Sequence, residues 1–309
     1  MCADSKATIA CWAMGLTQHK NGVAVIQEVV NLLLMGGHIG RPGAGVCPVR
    51  GHSNVQGDRT VGIWEAPSES FLAKLEQGLQ FELPRKHGYD VVHSIHAMEE
   101  GDVDVLVCMG GNFLSATPDT QRTAKAIQNV GLTVQISTKL NRSHLVTGET
   151  ALILPVLGRT ELDVQSSGEQ FVTVENSMGV VHRSKGNLKP VSARLMSEPA
   201  LVAQLGQLLC PYALDWTSCN DNYDSIRDIM SKSLYGFENY NERVREPSGF
   251  LLPNPPRDSC EFSTHTSKAS FTVHSLPNVT LPEDHFVLMT IRSHDQYNTT
   301  IYGLHDRYR

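Results

Sequence analysis

Residues 103–155 constrain the fold of this chain more than any other stretch. Val103-Asp104-Val105-Leu106-Val107-Cys108 is a strand-like apolar run that leads into Met109-Gly110-Gly111-Asn112. Thr117 followed by Pro118 predicts a helix capped at Thr117 and running to about Asn129. Leu132 to Ile136 predicts a second strand, ending at Ser137-Thr138-Lys139. A short helix near Ser143 and a third strand over Ala151–Leu154, closed by Pro155, complete the pattern. Strand, helix, strand, helix, strand at this spacing specifies a parallel α/β sheet. Ligands of such sheets bind at the C-terminal ends of the strands, which points to Gly110-Gly111-Asn112 and to Ser137-Thr138-Lys139. The sheet by itself does not define the ligand.

The second informative stretch runs from Gly36 to Asp58 and holds seven glycines and two prolines, without helical or strand periodicity. Loops of this length are functional or disordered. Interleaved Ile39, Val46, Val49 and Val55, and the lack of a like-charge run, argue for order. We read it as a backbone-lined wall whose Arg41, Arg50, His52, Asn54 and Gln56 suit a ligand rich in oxygen and nitrogen; the bland alternative is a surface connector. It follows a strand over Thr8–Trp12, a turn at Gly15, and a helix from Asn21 as cap to Met35. Val23, Ile26, Val30, Leu33 and Leu34 form the apolar face of that helix, and Gly36-Gly37 stops it. Polar corners, Thr17-Gln18-His19 and Arg50-Gly51-His52, stand at the two ends of this plan.

Elsewhere the pattern predicts a helix over Glu69–Gln77, a break at Pro84–Gly88 and a helix over Asp90–Glu100. Glu169–His182 reads as a hairpin and Glu198–Leu209 as an amphipathic helix. Residues 210–281 turn polar and proline-rich, a packed linker with a weak helix over Tyr223–Ser233. Phe286–Ile291 predicts a strand opening a new unit, followed by the donor-rich run Arg292–Thr300. The sequence stops nine residues later, so a piece of a longer protein is expected.

With 309 residues there is room for one large domain or two ordinary ones. A net charge of −6 and the lack of a Lys/Arg block exclude a nucleic-acid role on electrostatic grounds. Val23–Met35, broken by Gln27, Glu28 and Asn31, is too short and polar to span a bilayer, and Met1–His19 carries no secretory pattern. Seven cysteines without a Cys-x-x-Cys pair favour reduced thiols and a cytoplasmic protein, with a periplasmic one left open, and argue against a zinc or iron–sulfur site within this segment. His93 and His96 lack a third ligand and read as surface or interface residues.

Several motifs occur in a telling order: Met14-Gly-Leu-Thr-Gln18-His19, Gly40-Arg-Pro-Gly-Ala-Gly45, Pro48-Val-Arg50-Gly-His52-Ser-Asn54-Val-Gln56-Gly57, Met109-Gly-Gly-Asn112, Ile153-Leu-Pro155, and Arg292-Ser-His294-Asp-Gln-Tyr-Asn-Thr-Thr300. In this the chain resembles the molybdopterin oxidoreductases, in particular their formate dehydrogenase alpha-subunit-like branch. The resemblance covers nearly the whole chain, with residues 210–281 the least informative.

It implies an α/β fold with a parallel Rossmann-like α/β/α sheet of the formate dehydrogenase/DMSO reductase type, plus the start of a C-terminal β-barrel. The implied division is 1–52 as the end of one cofactor-binding domain, 53–158 as a dinucleotide-binding domain, 159–209 as a return to the cluster-bearing domain, 210–285 as linker and 286–309 as the barrel start. The implied cofactor is molybdenum with two molybdopterin guanine dinucleotides. The molybdenum-ligating side chain and any 4Fe-4S cluster are expected upstream, with no metal ligand in this segment and Cys47 a small packed residue.

Arg50 matches the family arginine beside the metal, and His52 the neighbouring polar position, which is glutamine in some members. Met14, Gln18, Asn54, Gly110, Asn112, Ser137, Thr138, Arg292, Ser293, His294, Gln296, Asn298, Thr299 and Thr300 match cofactor contacts. The implied activity is a two-electron reaction on a small substrate, formate or another oxyanion. Its implied partners are the remainder of the protein and an electron-transfer partner, and this piece alone would be inactive. A noncatalytic cofactor-binding or redox-assembly module, and a parallel-sheet nucleotide binder without a pterin, remain the alternatives. The second of these lacks a Gly-x-Gly-x-x-Gly turn.

Overall fold

The computed structural model describes residues 4–50, 54–276 and 280–288, and the backbone of 296–297 and 299–300. Its first unit is a parallel strand pair. β1 (Ile9–Trp12) and β2 (Gly45–Pro48) pair from Ile9↔Gly45 to Trp12↔Pro48. A parallel pair needs a crossover, and the short α1 (Met14–Thr17) and the longer α2 (Gly22–Met35) supply it.

The helix α2 is where the sequence places it, but its ends and faces differ from expectation. Asn21 makes no side-chain cap, Val23 is 76% exposed, and Asn31 is buried. Asn31 is buried because its Nδ2 donates to the Thr272 carbonyl at 2.7 Å while its Oδ1 accepts from the Thr272 N–H at 3.2 Å. A side-chain amide thus satisfies a passing stretch of extended chain as a neighbouring strand would. The glycine-rich stretch that follows is less irregular than its sequence suggests, because it contains β2 and leads into α3 (Val55–Thr60). The strand owes its form to β1, a partner that local periodicity cannot reveal. Gly40 is required twice over: its φ is +73°, and a Cβ there would stand 2.1 Å from Cys260 Sγ.

Two capped helices follow. Ser68 caps α4 (Glu69–Leu79) and Asp90 caps α5 (Val91–Glu100), each accepting a backbone N–H with its side chain. Then comes the expected parallel sheet. β3 (Val105–Met109), α6 (Phe113–Ala116), α7 (Thr120–Gln128), β4 (Leu132–Ser137), a 3-10 turn over Arg142–Leu145 and β5 (Thr150–Pro155) give the order β3-β4-β5 with both pairs parallel.

The cap of α7 is Asp119, whose carboxylate accepts from Arg122 N at 2.9 Å, and not Thr117. Phe113–Ala116 has already made a helical turn there, so Thr117 faces inward and pairs with Thr123 at 2.8 Å. Ile95, Met98, Leu114, Ala126, Ile127 and Val130 form the core over this sheet, with Leu106 packed against them. The opposite face of β3, bearing Val105, Val107 and Met109, is about half exposed.

The remainder is antiparallel and helical. After the small pair β6 (Val164–Gln165) and β7 (Gly168–Glu169) come β8 (Val172–Glu175) and β9 (Val180–Ser184), the predicted hairpin. Then follow α8 (Glu198–Leu209), α9 (Trp216–Asp221), α10 (Tyr223–Ser233), α11 (Tyr240–Arg243) and β10 (Phe250–Leu251), which adds to β9.

Val181, Leu234, Phe237, Tyr240, Val244 and Phe250 make a second core, with ring centroids 4.9–6.0 Å apart. Much of the stretch expected to be linker is therefore core. Arg227 on α10, 4% exposed, organises the polar side of it. Its guanidinium lies 4.0 Å from the Phe171 ring centroid and donates to the Phe171 carbonyl (3.0 Å), to Asn241 Oδ1 (2.7 Å) and to Asp224.

Phe286–Leu288 is not a strand, and both Phe286 and Leu288 are exposed; the rest of that expected strand lies outside the described residues. Beyond it, the backbones of β11 (Gln296–Tyr297) and β12 (Thr299–Thr300) pair antiparallel. Among the described residues no helix is long and apolar enough to cross a membrane.

Candidate functional site

Both parallel units carry candidate residues at the C-terminal ends of their strands. In the first, the ladder ends at Trp12↔Pro48, and Val49 N donates onward to the Trp12 carbonyl at 2.7 Å. The chain leaves β1 into α1, which holds Met14, with Gln18 just past its end, and leaves β2 into Arg50. Gln18 and Arg50 thus both lie beyond the same end of one strand pair. Gln18 Nε2 reaches Met14 Sδ at 3.5 Å, and His19 Nε2 lies 2.7 Å from the Gly15 carbonyl.

Arg50 is exposed, and its Nη2 donates to Gln56 Oε1 at 2.9 Å. Gln56 Nε2 in turn donates to Glu175 Oε1 at 2.5 Å. Asn54 accepts from the Glu175 N–H at 2.9 Å and donates to Asp58 at 3.2 Å. The structure therefore ties Arg50 and Asn54 to β8, through a glutamate that no sequence motif marks. Cys47 faces Cys11 across the β1–β2 pair. Burial, then the neighbouring Cys11, push its thiol up, which disfavours the thiolate a metal would need. Among the described residues no three His, Cys, Asp or Glu side chains gather into a metal-binding set.

At the sheet, Gly110 and Gly111 take φ of +67° and +69° with open space where a side chain would be. Gly110 N still donates to the Ile136 carbonyl at 2.7 Å, so the backbone turns away directly at the strand end. A polar network from the 3-10 turn braces this edge. Asn141 Nδ2 donates to the Gly111 carbonyl (2.7 Å), and Ser143 Oγ donates to Asn112 Oδ1 (2.7 Å) while accepting from Leu114 N (3.1 Å).

His144 Nε2 lies 3.1 Å from Ser137 Oγ, and Asn141 N donates to His144 Nδ1 at 3.0 Å. A backbone N–H can only donate, so Nδ1 accepts, Nε2 carries the proton and Ser137 Oγ receives it. Ser137 keeps its own O–H to give, and Asn112, its oxygen engaged by Ser143, keeps its NH2. Thr138 beside them is exposed. The edge offers donors, a chemistry that suits anionic oxygens.

The strand-end rule points to Asn112, Ser137 and Thr138 but passes over Asn141 and His144. Their signal was present: an Asn followed three residues on by a side chain that can reach back is a capping-box pattern. Ser143→Ala should cost about 1–3 kcal/mol in denaturant titrations, because it strands the Leu114 N–H and the Asn112 carbonyl. An unchanged midpoint would show that the edge does not depend on this brace. Of the other sequence candidates, His52, Arg292, Ser293, His294 and Asn298 lie outside the described residues, and Gln296, Thr299 and Thr300 are seen only as the backbone of β11–β12.

A family model described as molybdopterin oxidoreductase matches residues 2–146. An uncharacterized oxidoreductase of Mycobacterium tuberculosis is 55% identical over all of this chain and 40% of its own length. Protein YdeP of Escherichia coli K12 is 47% identical over 99% of this chain and 41% of its own length. A Bacillus subtilis relative, YrhE, whose name carries a provisional formate dehydrogenase assignment, is 36% identical over 36% of this chain. The chain spans about two fifths of the length of the first two of these. Residues 2–146 thus carry a molybdopterin oxidoreductase domain, and relatives named as oxidoreductases match the chain along its whole length.

Proposed function

We propose that this chain forms one wall of a molybdopterin guanine dinucleotide site in an oxidoreductase that acts on a small anionic substrate such as formate. The observation that carries the reading is the donor edge at the ends of β3 and β4. The open glycine pair lets a ligand approach the backbone, and Asn112 and Ser137 are each held with donors to spare. Such an edge fits the phosphates and polar rim of a pterin dinucleotide. Gly110, Gly111, Asn112, Ser137 and Thr138 would hold one dinucleotide, and Met14, Gln18 and Asn54, with Arg292–His294, Gln296 and Asn298–Thr300, would contribute further contacts.

When bound, the cofactor supplies two-electron redox chemistry, and the protein supplies orientation and fixed charge. Arg50 contributes a planar, permanently charged donor suited to a carboxylate or other oxyanion. Its role is to bind and orient. His52 would stand beside it as a further donor. On this reading an electron acceptor, a metal-ligating side chain and any 4Fe-4S cluster lie outside these residues, 286–309 opens a β-barrel, and the protein works in the cytoplasm. The oxidoreductase names of the relatives favour an enzyme over a noncatalytic module.

The test is metal and nucleotide content of protein expressed from the complete gene in a host that makes the cofactor. About one molybdenum and two guanines per chain are expected. Folded protein containing neither would leave Arg50 and the donor edge as structural features only.

A further inference from the structure

Glu175 is a carboxylate placed where carboxylates are costly. It is 5% exposed, its Oε1 accepts from Gln56 Nε2, and its buried Oε2 has no partner among the described residues. A cavity of about 110 Å³ adjoins it, lined in part by Asn54, Asp58, Thr173 and Tyr240. Burying a charged group with half its acceptors unfilled is unfavourable unless the group serves something else.

The backbone already explains part of the local structure. The Glu175 N–H, not its side chain, binds Asn54 at the start of α3. That bond survives any side chain at position 175, so the carboxylate needs a separate reason.

We infer that Glu175 is a positioning residue that aims Arg50 through Gln56. The amide of Gln56 lies between opposite charges. Its carbonyl takes the Arg50 Nη2 donor and its NH2 gives to the Glu175 carboxylate. The flipped amide would set its carbonyl against the carboxylate and its NH2 against the guanidinium, so the two charges fix one orientation. Arg50, exposed on its own account, would otherwise sample many rotamers. Gln56 thereby transmits the fixed position of β8 to a residue at the end of β2. The inference rests on the reading of Arg50 as the anion contact only for its purpose, not for its geometry.

The experiment is phenylglyoxal labelling in protein expressed from the complete gene, quantified at Arg50 and at the exposed Arg194 by peptide mass spectrometry. Glu175→Leu and Gln56→Ala should each raise the Arg50 labelling rate about fivefold, the equivalent of one net hydrogen bond. The double variant should show no further rise, since one broken link already frees Arg50. Glu175→Gln, which keeps an acceptor without the charge, should fall between wild type and Glu175→Leu. Arg194 should label alike in all of them.

Unchanged Arg50 labelling in both single variants overturns the inference. So do additive rises that Arg194 shares, which mean general loosening. Formate tests the other reading separately: it should slow Arg50 labelling in the wild type. If it does not, Arg50 is no anion contact, while the variant rates still decide whether Glu175 aims it.

Discussion

Arg227→Ala will lower folding stability by about 3–5 kcal/mol, the cost of removing one member of a buried, hydrogen-bonded charge pair. Asn241 Oδ1 and the Phe171 carbonyl lose the guanidinium donor, and Asp224 is left with Arg245 alone of its two arginines. The Phe171 ring also loses the guanidinium packed on its face. Urea titration measures the effect, and Arg227→Met, which keeps much of the packing without the charge, separates the two contributions. A loss below about 1 kcal/mol would mean that Arg245, 2.5 Å from Asp224, substitutes for Arg227.

The same pair gives an acid-side signature. Burial alone would raise the Asp224 carboxyl, but hydrogen bonds from Arg227 and Arg245 outweigh it and hold the group below the ordinary value of 3.8. A depressed folded value means stabilisation that is complete above the unfolded value and lost as pH falls through the folded one. Wild type should therefore lose stability below about pH 4 more steeply than Arg227→Ala.

Arg50→Ala should reduce kcat/KM for a small anionic substrate by about 10²–10³, as loss of one preorganised charged donor does. Molybdenum content should be unchanged, because the Arg50 side chain bonds Gln56 and no element of either sheet. Arg50→Lys restores the charge but not the planar fork, and should land between. Steady-state kinetics on metal-loaded protein decides the matter, and an Arg50→Ala enzyme with wild-type kcat/KM would remove the residue from the site.

What the sequence made legible is what depends on neighbours along the chain. β3, β4 and β5 announced themselves through short apolar runs, and α8 and α10 through helical spacing. Where the partner is remote, the signal fades. β2 looks like loop because β1 makes it a strand. The second core reads as linker in the sequence because Phe237, Tyr240, Val244 and Phe250 converge only in three dimensions.

The site divides the same way. The ends of parallel strands can be read by rule, and the rule points to Asn112 and Ser137. The Glu175 side chain acts through one hydrogen bond to Gln56, 119 positions away, and no spacing records that.

The clasp between Asn31 and Thr272 has a consequence for how the chain is made. The two residues are 241 positions apart, so the amide of Asn31 leaves the ribosome long before the backbone that satisfies it. At about 5–20 residues per second the interval is on the order of ten to fifty seconds. Throughout it, α2 carries a polar group on the side it will later bury. The unit that holds α2 therefore reaches its final packing only after Thr272 has been made, so its folding is not complete when its own residues are.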